Sequence, residues 1–99
     1  MEFIQVIEIT TTKLDEIQAL MDEWVEATEG KRLTHQAVLT ADRDRPNTYV
    51  QIVRFPSYEA AMANSELPET GHFAERLVKL CDAPPVFRNL DVRRDDDLG

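Results

Sequence analysis

TYVQIVRFPSYEAAMANSELP, residues 48–68, decides how this chain folds. Its first eight residues, Thr48–Phe55, are dense in β-branched and aromatic side chains, which suit a pleated, half-buried surface, and they predict a strand. Pro56 ends the strand by removing a ladder donor. Ser57 is placed to cap a helix beginning near Tyr58, its hydroxyl taking a backbone N–H that has no helical partner. That helix carries Ala60, Ala61, Met62 and Ala63 and then meets Asn64-Ser65-Glu66-Leu67-Pro68. Pro68 cannot continue the hydrogen-bond ladder, so the helix is expected to break near it. It restarts around Glu69 and runs to about Cys81, with Phe73, Leu77, Val78 and Leu80 inward.

Upstream, residues 3–9 (FIQVIEI) read as a first strand. Thr12-Lys13-Leu14-Asp15 resembles a capping box with Asp in place of Glu. Leu14, Ile17, Met21, Trp24, Val25 and Thr28 then recur at helical spacing, with acidic residues on the other face, and Gly30 supplies a left-handed stop. Residues 33–41 read as the second strand, and residues 42–47 as a polar hairpin loop. Downstream, residues 82–85 form an exit loop and residues 86–93 a last strand. Strand, helix, strand, strand, helix, strand is the split βαβ order of ferredoxin-like domains. The expected fold is therefore α+β, βαββαβ, with a four-stranded antiparallel sheet. It occupies residues 1–94 as a single domain, followed by a short charged tail at 95–99.

Alternation along the strands sorts the sheet residues into two faces. Ile4, Val6, Ala37, Leu39, Val50, Ile52, Val86, Leu90 and Val92 form a nearly continuous apolar face, which the helices are expected to cover. The other face would carry Phe3, Gln5, Ile7, Thr34, Gln36, Val38, Tyr49, Gln51, Val53, Phe55, Phe87, Asn89 and Asp91. So many large apolar side chains are not left to water, and this face is expected to form a homodimer contact.

A net charge of −8 repels phosphate backbones and anionic lipid surfaces, so neither nucleic acid nor a membrane is an expected partner. No segment approaches the ~20 apolar residues of a membrane span. The start, Met1-Glu2-Phe3-Ile4-Gln5, has no basic region followed by an apolar run, and Cys81 has no disulfide partner in the chain, so a cytoplasmic setting is the expectation. Only Gly30, Gly71 and Gly99 occur, too few for a phosphate-cradling loop, and no His/Cys cluster has zinc spacing. No cofactor is therefore expected.

With its element order, its length, the Phe55-Pro56-Ser57-Tyr58-Glu59-Ala60-Ala61 helix entry, the break at Asn64-Ser65 and the ending Pro85-Val86-Phe87-Arg88-Asn89-Leu90-Asp91-Val92, the chain resembles the antibiotic-biosynthesis-monooxygenase-like group of the dimeric α+β barrel superfamily. The resemblance covers nearly the whole chain. It implies a homodimer closing a barrel, with a small-molecule cleft between helices and sheet. Members of the group include cofactor-independent monooxygenases of polycyclic phenols, enzymes that oxidise quinols, and heme-degrading monooxygenases. In the heme branch an Asn-Ser pair precedes an iron-ligating histidine by seven residues, the spacing from Ser65 to His72 here. That branch has an Asn on its first strand, where this chain has Gln5, and a Trp at the end of its third, where this chain has Phe55.

His72 and His35 are the candidate acid–base residues, each with an alternative reading as a partly exposed or backbone-bonded histidine. Trp24 and Met62 are candidate walls of an apolar cleft; Trp24 can stack on a planar ligand or simply fill core. Tyr49 and Gln51, two residues apart on one face, can orient a phenol or quinone, or pair across a dimer contact. Arg54 and Arg88 can hold an anionic group or pair with acidic neighbours. The leading functional expectation is a cofactor-independent monooxygenase of a small phenolic or quinol substrate. A non-catalytic homodimer binding a metabolite or protein, and a heme-binding protein, are the alternatives.

Overall fold

The computed structural model of the protein describes residues 2–99; Met1, the first residue of the N-terminal stretch and of the expected domain, lies outside the described residues. The elements are β1 (Phe3–Thr10), α1 (Leu14–Ala27), β2 (Gln36–Ala41), β3 (Thr48–Phe55), α2 (Tyr58–Ser65), α3 (Pro68–Leu80) and β4 (Val86–Asp91). The four strands form one antiparallel sheet in the order β2-β3-β1-β4, the arrangement expected of a βαββαβ chain. No helix among the described residues is long and apolar enough to cross a membrane.

Local chemistry sets the boundaries. Ser57 Oγ accepts the Ala60 N–H at 3.1 Å, so the expected cap of α2 is made. Pro68 is the first residue of α3, where its missing N–H costs nothing because first-turn donors have no helical partner. The break between α2 and α3 thus falls at Glu66 and Leu67. Gly30 adopts φ +80°, which carries the chain out of α1 as expected. The start of α1 differs from the capping box expected at Thr12. Thr11 is the residue engaged: its Oγ1 accepts the Lys13 N–H at 2.9 Å and donates to the Leu80 carbonyl at 2.7 Å. One buried hydroxyl thereby ties the beginning of α1 to the end of α3.

Two buried clusters hold the layers together. Ile7 and Ile9 of β1 pack with Ile17 and Leu20 of α1 and Leu77 of α3. Phe3, Val53 and Phe55 pack with Ala61 of α2, and Met62 lies against them. The Phe3 ring meets Tyr58 edge-on at 5.4 Å. Val78, expected inward, is more than half exposed.

In β1, β3 and β4 the covered face is the reverse of the one expected. The helices lie on Phe3, Ile7, Tyr49, Val53 and Phe55, while Ile4, Val6, Val50 and Ile52 of the central strands stand on the open face with Val86 and Leu90 of β4. β2 keeps the side expected of it: Ala37 is opposite Val53 and Leu39 opposite Gln51, which puts both on the helix side and places Gln36 and Val38 on the open side. The physical reason is that both faces are apolar, so alternation separates two sets without saying which one the helices meet.

Charged side chains lie along the open face. Arg54 pairs with Glu2 and, at 3.1 Å, with Asp95 of the charged tail. Arg45 pairs with Glu8 at 3.3 Å and Asp42 at 2.9 Å. The hydrogen bond from Arg54 holds the Glu2 carboxyl below its ordinary value of 4.5. A depressed carboxylate contributes stability above its ordinary value and loses it as pH falls through the lowered one. Glu2→Gln is therefore expected to melt slightly below the wild type at pH 7, with the gap closing as pH drops well below 4.5. Thermal melts across pH check this, and a gap that widens on acidification would contradict it.

Candidate functional site

Between the sheet and the helices lies an apolar cavity of about 250 Å³. Its floor is built on β1, β2 and β3 by Gln5, Ile7, Leu39, Gln51, Val53 and Phe55, with Ala37 at the β2 side. Its roof comes from Met21, Trp24 and Val25 of α1, Asn64 of α2, and Thr70 and Phe73 of α3. The break between α2 and α3 makes this roof possible. It lets Asn64 and Thr70 approach the same space from two short helices rather than from successive turns of one.

The polar side chains of the cavity other than Gln51 are placed by specific contacts. The Trp24 indole N–H donates to Thr70 Oγ1 at 3.0 Å, which fixes the indole plane across α1 and α3. Phe73 lies against it, ring centroids 6.4 Å apart and planes 55° apart. Asn64 is 5% exposed, and its Oδ1 accepts the Leu33 N–H at 3.0 Å. With its carbonyl engaged by backbone, the amide NH₂ is the edge it can offer the cavity it lines. Gln5 Nε2 donates to Asn89 Oδ1 at 3.3 Å. Gln51 Oε1 is buried and meets no hydrogen-bond donor among the described residues.

The expected site residues divide sharply. Trp24 and Gln51 line the cavity. Met62 packs in the Phe3–Phe55 cluster, and Tyr49 against the Ile7–Ile9 cluster, so Tyr49 and Gln51 share a face but not a site. Arg54 and Arg88 belong to the open face, Arg54 in ion pairs. His35 is exposed, with Nε2 3.6 Å from Glu2 Oε2. His72 is exposed on α3 and lines a smaller groove with Leu20, Glu23, Glu69 and Arg76. Trp24 and Phe73 line both spaces, and His72 lines only the smaller one. The acid–base roles expected of the two histidines thus find no geometric support at this cavity. Nor does the cavity suit heme, because the histidine that would hold iron does not line it.

Sequence reasoning gave no site role to Asn64, Gln5 or Thr70. A signal existed for Asn64. It lies three residues after the buried Ala61 in an alanine-rich helix, hence on the same inward face, where a polar residue needs a partner. No comparable signal marks Thr70, whose role depends on the tertiary approach of α1 and α3.

No protein-family model and no curated protein matches the sequence. Solved structures do. SnoaB, a cofactor-independent oxygenase from Streptomyces nogalater, superposes with a TM-score of 0.80 at 18% identity, over 95% of this chain and 95% of that one. A Mycobacterium tuberculosis protein superposes with a TM-score of 0.79 at 14% identity, over 98% and 100%. An antibiotic biosynthesis monooxygenase does so with a TM-score of 0.73 at 17% identity, over 95% and 100%. The chain has the fold of the antibiotic-biosynthesis-monooxygenase-like proteins.

Proposed function

We propose that this protein is a cofactor-independent monooxygenase of a planar phenolic or quinol compound held in the helix–sheet cavity. The observation that carries the reading is the cavity itself: aliphatic walls, one indole face, and polar contacts supplied by amides and a hydroxyl. At native packing density its volume suits a planar compound of roughly two or three fused rings. The likeness to SnoaB supports oxygenase chemistry in a site of this architecture.

No residue lining the cavity titrates near neutral pH. Proton removal at the substrate is then left to solvent and the compound's own acidity, while the Asn64 NH₂ steadies the oxygen that gathers negative charge. The electron-rich anion reduces O₂. A new C–O bond forms at the carbon that lost its proton, and loss of water leaves a carbonyl. One CH₂ and one O₂ become one C=O and one H₂O, and the substrate supplies every electron. Apolar walls shelter the anion from bulk water.

Oxygen uptake with anthrone tests this. Uptake above the buffer rate is expected, with kcat/KM following the ionisation of the substrate alone and unchanged in His35→Ala and His72→Ala. Ala37→Trp, which fills the cavity from β2, is expected to lower kcat/KM by about 100-fold. Uptake no faster than in buffer would contradict the reading. The absence of a titratable lining group also suits a non-catalytic binding protein, which would show saturable binding of the same compound without uptake.

The open face supports a homodimer. Ile4, Val6, Val38, Val50, Ile52 and Leu90 form an uncovered apolar surface bordered by both signs of charge, as a self-complementary contact requires.

A further inference from the structure

We propose that Thr70 is a positioning residue that holds the Trp24 indole at the border of the cavity and so keeps the cavity open to a flat ligand. This rests on the reading of the cavity as an aromatic-binding site. Thr70 is in the first turn of α3, with its N–H bonded to the Leu67 carbonyl at 3.0 Å. Its Oγ1 accepts the Trp24 indole N–H at 3.0 Å, from a residue 46 positions earlier in the chain. The bond therefore joins α1 to α3 across the roof, and both of its residues line the cavity.

Packing alone does not fix this ring. Trp24 lines both the cavity and the smaller groove, so its side chain borders two open spaces. Phe73, one turn beyond Thr70 on α3, meets the indole at a tilt of 55° rather than flush, with centroids 6.4 Å apart. An apolar side chain beside an empty apolar cavity gains dispersion contacts by entering it. A ring that stays at the border needs a directional restraint, and the indole N–H, a donor only, is the one polar group it has for this. Turning the ring into the cavity breaks its bond to Thr70. Without that bond the filled cavity competes with the open one, and the apparent affinity for a ligand falls with the open fraction.

The test is equilibrium dialysis of the full chain with 1-naphthol, joined to emission spectra of Trp24, the only tryptophan in the chain. Thr70→Val keeps the shape of the side chain and removes the acceptor. It is expected to bind 1-naphthol about five- to tenfold more weakly than the wild type, the size of one lost hydrogen bond. The Trp24 emission of the unliganded variant is expected to move to shorter wavelength, with less quenching by acrylamide, because the ring has entered the cavity. Thr70→Ala, a smaller variant without an acceptor, should behave alike, and Thr70→Ser, which keeps the acceptor, should match the wild type in both readouts. Thr70 itself lines the cavity, so a direct contact with the ligand is told apart in a Trp24→Phe background, which has no N–H to hold. There Thr70→Val should change the affinity by less than about twofold. Wild-type affinity or unshifted Trp24 emission in both Thr70→Val and Thr70→Ala would overturn the role of Thr70, as would an equal loss of affinity in the Trp24→Phe background; the cavity would stay a ligand site in each case. Failure of 1-naphthol to bind the wild type would overturn the cavity reading, and this one with it.

Discussion

Leu77→Ala is expected to lower the free energy of unfolding by about 2–5 kcal/mol. Leu77 is fully buried and is the α3 residue in the cluster of Ile7, Ile9, Ile17 and Leu20. It is therefore where α3 meets both β1 and α1. Truncation removes the transfer energy of the lost carbons and leaves a void, since Ile7 is held in register by β3 and β4, and Ile9 by β3, so that neither can collapse inward. About a third of the stability of a domain of this size is at stake in such a change, set against a typical total of about 5–15 kcal/mol. Urea unfolding followed by circular dichroism measures it. A loss under about 1 kcal/mol would mean that the α1–α3 layer does not rest on this side chain.

Ile52→Glu is expected to convert a homodimer into a folded monomer. Ile52 is on β3, with Val6 opposite on β1 and Val38 on β2, so it stands in the middle of the open apolar face. In an isolated chain the position is already partly exposed, and a carboxylate there costs little. Across a contact related by two-fold symmetry the substitution appears twice, and each charge is taken from water without a partner. The dimer dissociation constant should rise at least about 100-fold, the equivalent of a few kcal/mol. Sedimentation equilibrium checks both halves of the statement. A wild type that sediments as a single chain at every concentration would rule out the open face as a homodimer contact.

Punctuation carried most of the legible fold. Pro56, Ser57 and Pro68 placed the β3–α2–α3 boundaries, and Gly30 placed the exit from α1, because each acts through its own backbone chemistry. The cap of α1 was harder to see: three successive threonines offer similar hydroxyls, and the choice of Thr11 depends on the Leu80 carbonyl, distant in sequence. Which face the helices cover was not decided by apolar alternation, since both sets of strand residues are apolar. A signal lay in the charges between them. Glu8, Arg54 and Arg88 all share the face of Ile4, Val6, Ile52 and Leu90 and so mark that face as the one without helices. Trp24 and Gln51, singled out from side-chain chemistry alone, line the helix–sheet cavity. His72 lines only the smaller groove, because helical spacing places it on α3 without fixing which side of Trp24 and Phe73 it meets.

The central claim is that the helix–sheet cavity is where an aromatic ligand binds. A crystal structure of the protein with 1-naphthol tests it most directly. The account predicts the ring system between the Trp24 indole and Val53. Naphthol seated only in the outer groove beside His72, or a cavity closed by Met21 and Phe73 with no ligand in it, would contradict the account.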